Sequence, residues 1–201
     1  MNNSLKNIHH DRYKVDDIQY ANFIWKDCTE KKDVIQDKTR KYAVDLKNIA
    51  YISIYYNGTP MLYVTTPIMT CLWGMDKRTK QLTLQFTDLQ NNSSMKSFFT
   101  FIKNIELHNI KNLGITEKDI DKYGSQIKID KSGKYEPNLL VKVPFVDNRY
   151  AVDVFNDNYD NINIYNINNF IKMQCDIYID KIWKFNDVYY CKWKARKIYL
   201  V

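Results

Sequence analysis

The densest chemistry lies in the last stretch of the chain, Met173 to Val201, which reads MQCDIYIDKIWKFNDVYYCKWKARKIYLV. Two alternating runs flank a turn signal at Asn186–Asp187, which predicts a β-hairpin. Strand side chains alternate between faces. The second run therefore sets Lys192, Lys194 and Arg196 on one face, and Tyr189, Cys191, Trp193 and Ala195 on the other. Cations beside large rings suit a polyanion with flat bases, because phosphates need positive charge and bases need a π-face. The same composition also describes a solvated edge strand whose lysines oppose edge-to-edge pairing, with Trp193 and Tyr189 in the core.

Other residues extend this chemistry. Lys77, Arg78 and Lys80 form a basic loop, and Lys197 continues the C-terminal run of cations. Tyr51, Tyr55, Tyr63, Trp73, Trp183 and Trp193 are candidate stacking rings. Each is equally a candidate for the core, and about half are expected there, since a β-rich body buries several aromatics. The cations have a solvated face as their alternative.

Catalytic signatures are missing. The chain contains no GxxxxGK[ST], GxGxxG, HExxH or GxSxG, so no enzyme activity and no cofactor is expected. Asp147, Asp153 and Asp157 form a conceivable carboxylate nuclease site, but acids beside an Asn/Asp-rich loop are usually solvated turns. Cys28, Cys71, Cys175 and Cys191 are far apart, with no CxxC pair. Neither a zinc site nor a disulfide framework is expected. His9 and His10 sit in a polar leader and are expected to be exposed, and His108 falls in a helical pattern.

The chain has 201 residues, 45% of them hydrophobic, which suffices for one sizeable core. Its formal charge of +7 favours anionic partners without proving one. Asn, Lys, Ile and Tyr are all abundant, a bias that AT-rich codon usage alone produces. No secretory leader is visible, and no run approaches the roughly 18 apolar residues of a membrane span. A soluble, intracellular protein is expected.

The elements that must position these residues are mostly strands. Residues 1 to about 19 read as an arm, YANFIW (Tyr20–Trp25) as a segment docked on the core, and Thr29–Lys41 as a charged connector. Tyr42–Tyr56 predicts a long strand, and Asn57–Gly58 is a strong type I′ hairpin signal. Strands follow at Met61–Thr66, cut off by Pro67, and at Leu82–Phe86. Ser93–Ser94 can cap a helix over Met95–Leu113, with Phe98, Phe101, Ile102, Ile105 and Ile110 near helical spacing and Gly114 as its stop. Thr116–Tyr123 reads as a short second helix. Ile127–Ile129, Leu139–Phe145 and Tyr150–Phe155 predict further strands. The seven asparagines of residues 156–169 mark a loop.

Three antiparallel strands, a helix and more strands ending in a hairpin give a mainly β, α+β chain. They match the order of an OB-fold, a five-stranded Greek-key barrel with a helix between its third and fourth strands. A generic α+β sandwich gives the same order. The division expected is an arm and connector over 1–41 and an OB-like domain over 42–201, with an insertion at about 114–170.

Several segments together carry a resemblance: YISIYYNGTPMLYVTTPIM, LTLQFTDL with the FFTFIKNIE helix, YEPNLLVKVPF and DIYIDKIWKFNDVYYCKWKARKIYLV. In this order they resemble the single-stranded DNA-binding proteins of nucleocytoplasmic large DNA viruses, a family similar to the OB-fold single-stranded DNA-binding protein of short-tailed coliphages. The resemblance spans about Tyr42 to Val201. It implies sequence-independent binding of single-stranded DNA in viral replication, recombination or repair, with replication proteins as further partners. It also implies residence at the viral replication site of an infected cell, packaging in the virion, and room for a homodimer. The phage-type protein ends in an acidic tail with a terminal aromatic, whereas this chain ends KIYLV. The family's glycine in the last hairpin turn is replaced by Phe185, Asn186 and Asp187. The alternative from another class is a structural or accessory virion protein that acts through protein contacts.

Overall fold

Two-residue turns organise the β structure. Asn57–Gly58, Asp147–Asn148 and Asn186–Asp187 all have positive φ at both positions. That is the geometry whose twist matches paired strands, and Asn, Asp and Gly reach it at low cost. Two of the three turns are legible in the sequence; Asp147–Asn148 is not.

A computed structural model describes residues 9–21, the backbone of 24–25, and 50–201. The predicted connector Thr29–Lys41, residues 42–49 of the predicted long strand, and Cys28 lie outside the described residues. The strands are β1 (Ile18–Tyr20), β2 (Ile24–Trp25), β3 (Ala50–Tyr56), β4 (Thr59–Pro60), β5 (Leu62–Thr65), β6 (Met69–Cys71) and β7 (Gln81–Gln85). The helix α1 (Ser93–Asn112) follows, then β8 (Ile127–Lys128), β9 (Asn138–Lys142), β10 (Phe145–Val146), β11 (Arg149–Tyr150) and β12 (Asp153–Phe155). The chain ends with β13 (Ile171–Ile179), β14 (Lys181–Phe185), β15 (Val188–Cys191) and β16 (Trp193–Leu200).

Six of these, with β5 and β6 counting as one, close a five-stranded barrel. β13 pairs antiparallel with β5 and β6, β6 with β7, and β7 with β9. β9 then runs parallel to β16, and β16 returns antiparallel to β13. β5 and β6 act as one strand interrupted at Pro67, which has no N–H to give the ladder. Thr66 repairs the break: its hydroxyl accepts from Cys175 N at 3.0 Å, and its own N–H donates to Cys175 O at 2.8 Å. Alternation gives each barrel strand an apolar inward set, such as Leu82 and Leu84, Leu139 and Val141, and Trp193 and Ala195. The fold is a mainly β, OB-like barrel with one principal helix.

That helix falls between the second and third barrel strands, not between the third and fourth as expected. Ala50–Tyr56 reads as the first barrel strand in sequence but belongs to a second sheet, ordered β1-β3-β14-β15. The last hairpin crosses into that sheet as well, so the expected single strand after Asn186–Asp187 is split. β15 stays in the second sheet, and β16 enters the barrel after Lys192. The predicted insertion at about 114–170 also contains the third barrel strand, β9.

α1 seals one end of the barrel. It buries Met95, Phe98, Phe101, Ile102 and Ile105, and the Phe98 and Phe101 rings lie 6.1 Å from Phe86 and 6.3 Å from Trp193. Asn92, rather than Ser93 or Ser94, is the cap: its side chain accepts from Met95 N at 3.0 Å. Gly114, at φ +67°, ends the helix. Asn109 takes the buried position expected of Ile110, because it bridges Tyr20 (2.6 Å) and Tyr123 (3.0 Å).

The arm is docked. His10, expected to be exposed, is 3% exposed and packs on Phe98 and Phe101 at 5.4 and 5.9 Å. The polar leader hides a sparse apolar pattern in Tyr13, Val15 and Ile18, which pack against the core and carry the histidine in with them. Tyr13 donates to the carbonyl of Tyr63.

Candidate nucleic-acid interface

Loop 72–80 joins the first two barrel strands, and its shape is set by one acid. Asp76 accepts from Arg78 N (2.8 Å), Thr79 N (3.1 Å) and Thr79 Oγ1 (2.7 Å). These bonds, the Thr79 hydroxyl first, hold its carboxyl below the usual range. With Asp76 folded onto the backbone, Lys77 and Arg78 project into solvent, and Lys80 is half-buried. Lys142, at the end of β9, donates to Thr79 O at 2.6 Å. Burial first, then the positive charges of Lys192 and Lys80, hold its ammonium below the ordinary lysine value. Lys80, Lys142 and Lys192 therefore share one field. Among the described residues, none of Lys77, Arg78, Lys80, Lys142 and Lys192 has a salt-bridge partner.

A wall of rings stands beside the loop. Phe145, from the β10–β11 hairpin, lies under the Lys80 ammonium, 3.6 Å from the ring centroid. Tyr150 packs against Phe145 at 4.9 Å, and Tyr165 against Tyr150 at 5.7 Å. Lys77 sits 4.6 Å above Tyr165. Trp73 and Phe170 meet edge to face at 5.9 Å, and each is 62% exposed. The Asn-rich segment reaches the loop at buried Ile167. Gly74, at φ +60°, makes this approach possible, since a Cβ there would stand 2.4 Å from Ile167 O. The sequence reading singles out Trp73 but misses Phe145, Tyr150, Tyr165 and Phe170. Phe145 and Tyr150 end predicted strands, Tyr165 and Phe170 lie in or beside the Asn-rich loop, and only the tertiary packing brings them to the lysines.

The C-terminal cations part company. Alternation holds, with Cys191, Trp193 and Ala195 buried and Lys192, Lys194 and Arg196 half-buried. One continuous track does not form. Lys192 stands at the sheet switch, 5.6 Å from the Tyr190 ring and beside Lys142. Lys194 is bound to Asp180 at 2.6 Å. Arg196 sits at a bulge in the β13–β16 ladder, 5.3 Å over Tyr63. Lys197 stands in register with Asp176 on one side and Asp153 on the other.

The remaining candidate rings are divided as well. Trp193 is core, at 1% exposure. Tyr51 and Trp183 are neighbours in the second sheet, 5.2 Å apart, and Tyr55 lies on the same strand as Tyr51, opposite Gln19 and Pro60. Tyr63 is on the barrel, 5.4 Å from Tyr178, with its hydroxyl on Met61 Sδ. Asp147 is a turn residue, and among the described residues it does not converge with Asp153 and Asp157 into a ligand cluster. Cys71, Cys175 and Cys191 are buried free thiols, and burial pushes Cys191 up to about 12. Among the described residues no helix is long and apolar enough to cross a membrane.

No protein-family model matches the chain, and none of the curated proteins matches it in sequence. Solved structures similar to part of the fold include three of a single-stranded DNA-binding protein from bacteriophage Enc34. Its complex with single-stranded DNA has a TM-score of 0.47 at 10% identity, covering 74% of this chain and 89% of that one. A C-terminal truncation gives 0.45 at 9% identity, covering 74% and 88%, and a third structure gives 0.46 at 12%, covering 74% and 83%.

Proposed function

We propose that the chain binds single-stranded DNA without reading its sequence, through the face formed by loop 72–80, the end of β9, Lys192 and the ring wall. The observation that supports this is the pairing of exposed rings with five cations that, among the described residues, form no salt bridge. Trp73 and Phe170 are open to solvent on the same face. In an OB barrel, the loops joining strands one to two and four to five flank the oligonucleotide-binding surface. Here these are loop 72–80 and the β14–β15 hairpin that ends at Lys192. The cations neutralise phosphates and release their condensed counterions, and unpaired bases stack on the rings at about 1–3 kcal/mol each. The role is stoichiometric binding, not catalysis. The resemblance to the viral family supports a role in replication, recombination or repair.

Mobility-shift competition tests this. Labelled oligo(dT) is expected to be displaced by unlabelled single strands of any sequence, poorly by duplex, and to be released by salt. Equal competition by duplex would leave a generic basic surface and refute the stacking component.

A further inference from the structure

The second sheet carries a ring row that the barrel face does not use. In the registers of β3, β14 and β15, Tyr51 stands opposite Trp183, and Trp183 opposite Tyr190. Neighbouring strands are about 4.8 Å apart, so the row extends about 10 Å across three strands. The alternate positions Ile52, Ile182 and Cys191 point inward and are buried. The outward positions Tyr51, Ser53, Tyr55, Lys181, Trp183 and Tyr190 include no carboxylate. Lys181 lies 4.3 Å from the Tyr51 ring and 5.7 Å from Trp183, and Lys192 is 5.6 Å from Tyr190. Tyr190 is fixed from the side: Gly124 leaves its ring room, since a Cβ there would be 2.4 Å from Cδ1. Lys192 therefore joins two surfaces, touching this row at one end and the Lys142–Lys80 cluster at the other.

We propose that the row Tyr190–Trp183–Tyr51 is a second stacking platform, onto which a single strand continues from the barrel face past Lys192. This rests on the reading of the barrel face given above and adds its direction and extent. Half-exposed rings flanked by two lysines, with no acid among them, complement unpaired bases on a polyanion. Short oligonucleotides fill the barrel face alone, and longer ones engage both surfaces.

The test uses the full chain with oligo(dT) of about 6 and about 20 nucleotides, bracketing the span of one OB-fold. In a Trp73→Phe background, the long oligomer is expected to quench fluorescence and the short one is not. The quenching is expected to vanish when Trp183→Phe is added. Trp183→Leu is expected to weaken the long oligomer about tenfold and leave the short one unchanged, whereas Trp183→Phe retains most of the affinity. If Trp183→Leu does not fold, Lys181→Glu on the exposed side of the same rings is expected to give the same length-selective loss. Unchanged long-oligomer affinity in folded Trp183→Leu, or in Lys181→Glu, would overturn the platform and leave the row to a protein partner. Failure of the wild-type chain to bind either oligomer is a different result: it overturns the barrel-face reading, and the platform with it.

Discussion

Loop 72–80 and the stretch Lys194–Arg196 of β16 are both rich in cations, yet the carboxylates beside them are used differently. Asp76 turns inward to cap its own loop, and among the described residues Lys77, Arg78 and Lys80 form no salt bridge. Asp180 turns outward and neutralises Lys194, and Arg196 is spread over Tyr63. Availability, not count, makes a phosphate site. A cation already paired must break that pair before it can serve a ligand.

Charge reversal should expose this contrast most strongly. Lys77, Lys80 and Lys192 changed together to Glu are expected to weaken oligo(dT) binding by at least about 100-fold and to lower the salt slope by about 2, at about 0.7 per phosphate contact. Lys194 and Arg196 changed to Glu are expected to cost only a few-fold, and the reverse ranking in a salt titration would invert the comparison. Trp193→Ala addresses the buried side of β16 and is expected to lose about 3–5 kcal/mol of stability in chemical denaturation. Trp73→Ala, at a ring 62% exposed, is expected to cost about 1–3 kcal/mol of binding and nothing in the melting temperature. Asp180→Asn removes a partly exposed pair worth about 0–1 kcal/mol. By releasing Lys194 it should raise oligo(dT) affinity slightly, and an unchanged affinity would place Lys194 outside the ligand path.

The smallest effect concerns the arm. Burial lowers the His10 pKa, partly offset by Asp11, so the unfolded chain takes up that proton first as pH falls. The contribution of His10 is complete above about pH 6.5 and declines below it. Melting temperatures should therefore fall between about pH 7.5 and about pH 5.5, and less so in His10→Gln.

The local pattern carried much of the fold. The turns Asn57–Gly58 and Asn186–Asp187, the helix with its Gly114 stop, and the inward face of Trp193 and Ala195 all follow from period and turn chemistry. Partner choice was not legible. Nothing in AYISIYY says that it pairs with β14 instead of closing the barrel, because alternation fixes a strand's faces but not its neighbour. The candidate site divided in the same way. Lys77 and Lys80 lie over rings of the wall, Trp73 meets Phe170, and Lys192 shares the field of Lys142 with Lys80. Lys194 is lost to Asp180, fourteen residues away in sequence and beside it in space. The ring wall depends on Gly74 admitting Ile167, a contact between segments that sequence spacing does not link.

Trp73 reports whether loop 72–80 and its wall receive the bases. A short oligo(dT) titrated at low salt into the wild-type chain and into Trp73→Phe should quench the first and barely change the second, and added salt should restore the lost signal. Undiminished quenching in Trp73→Phe would place the bases elsewhere on the molecule and contradict the account.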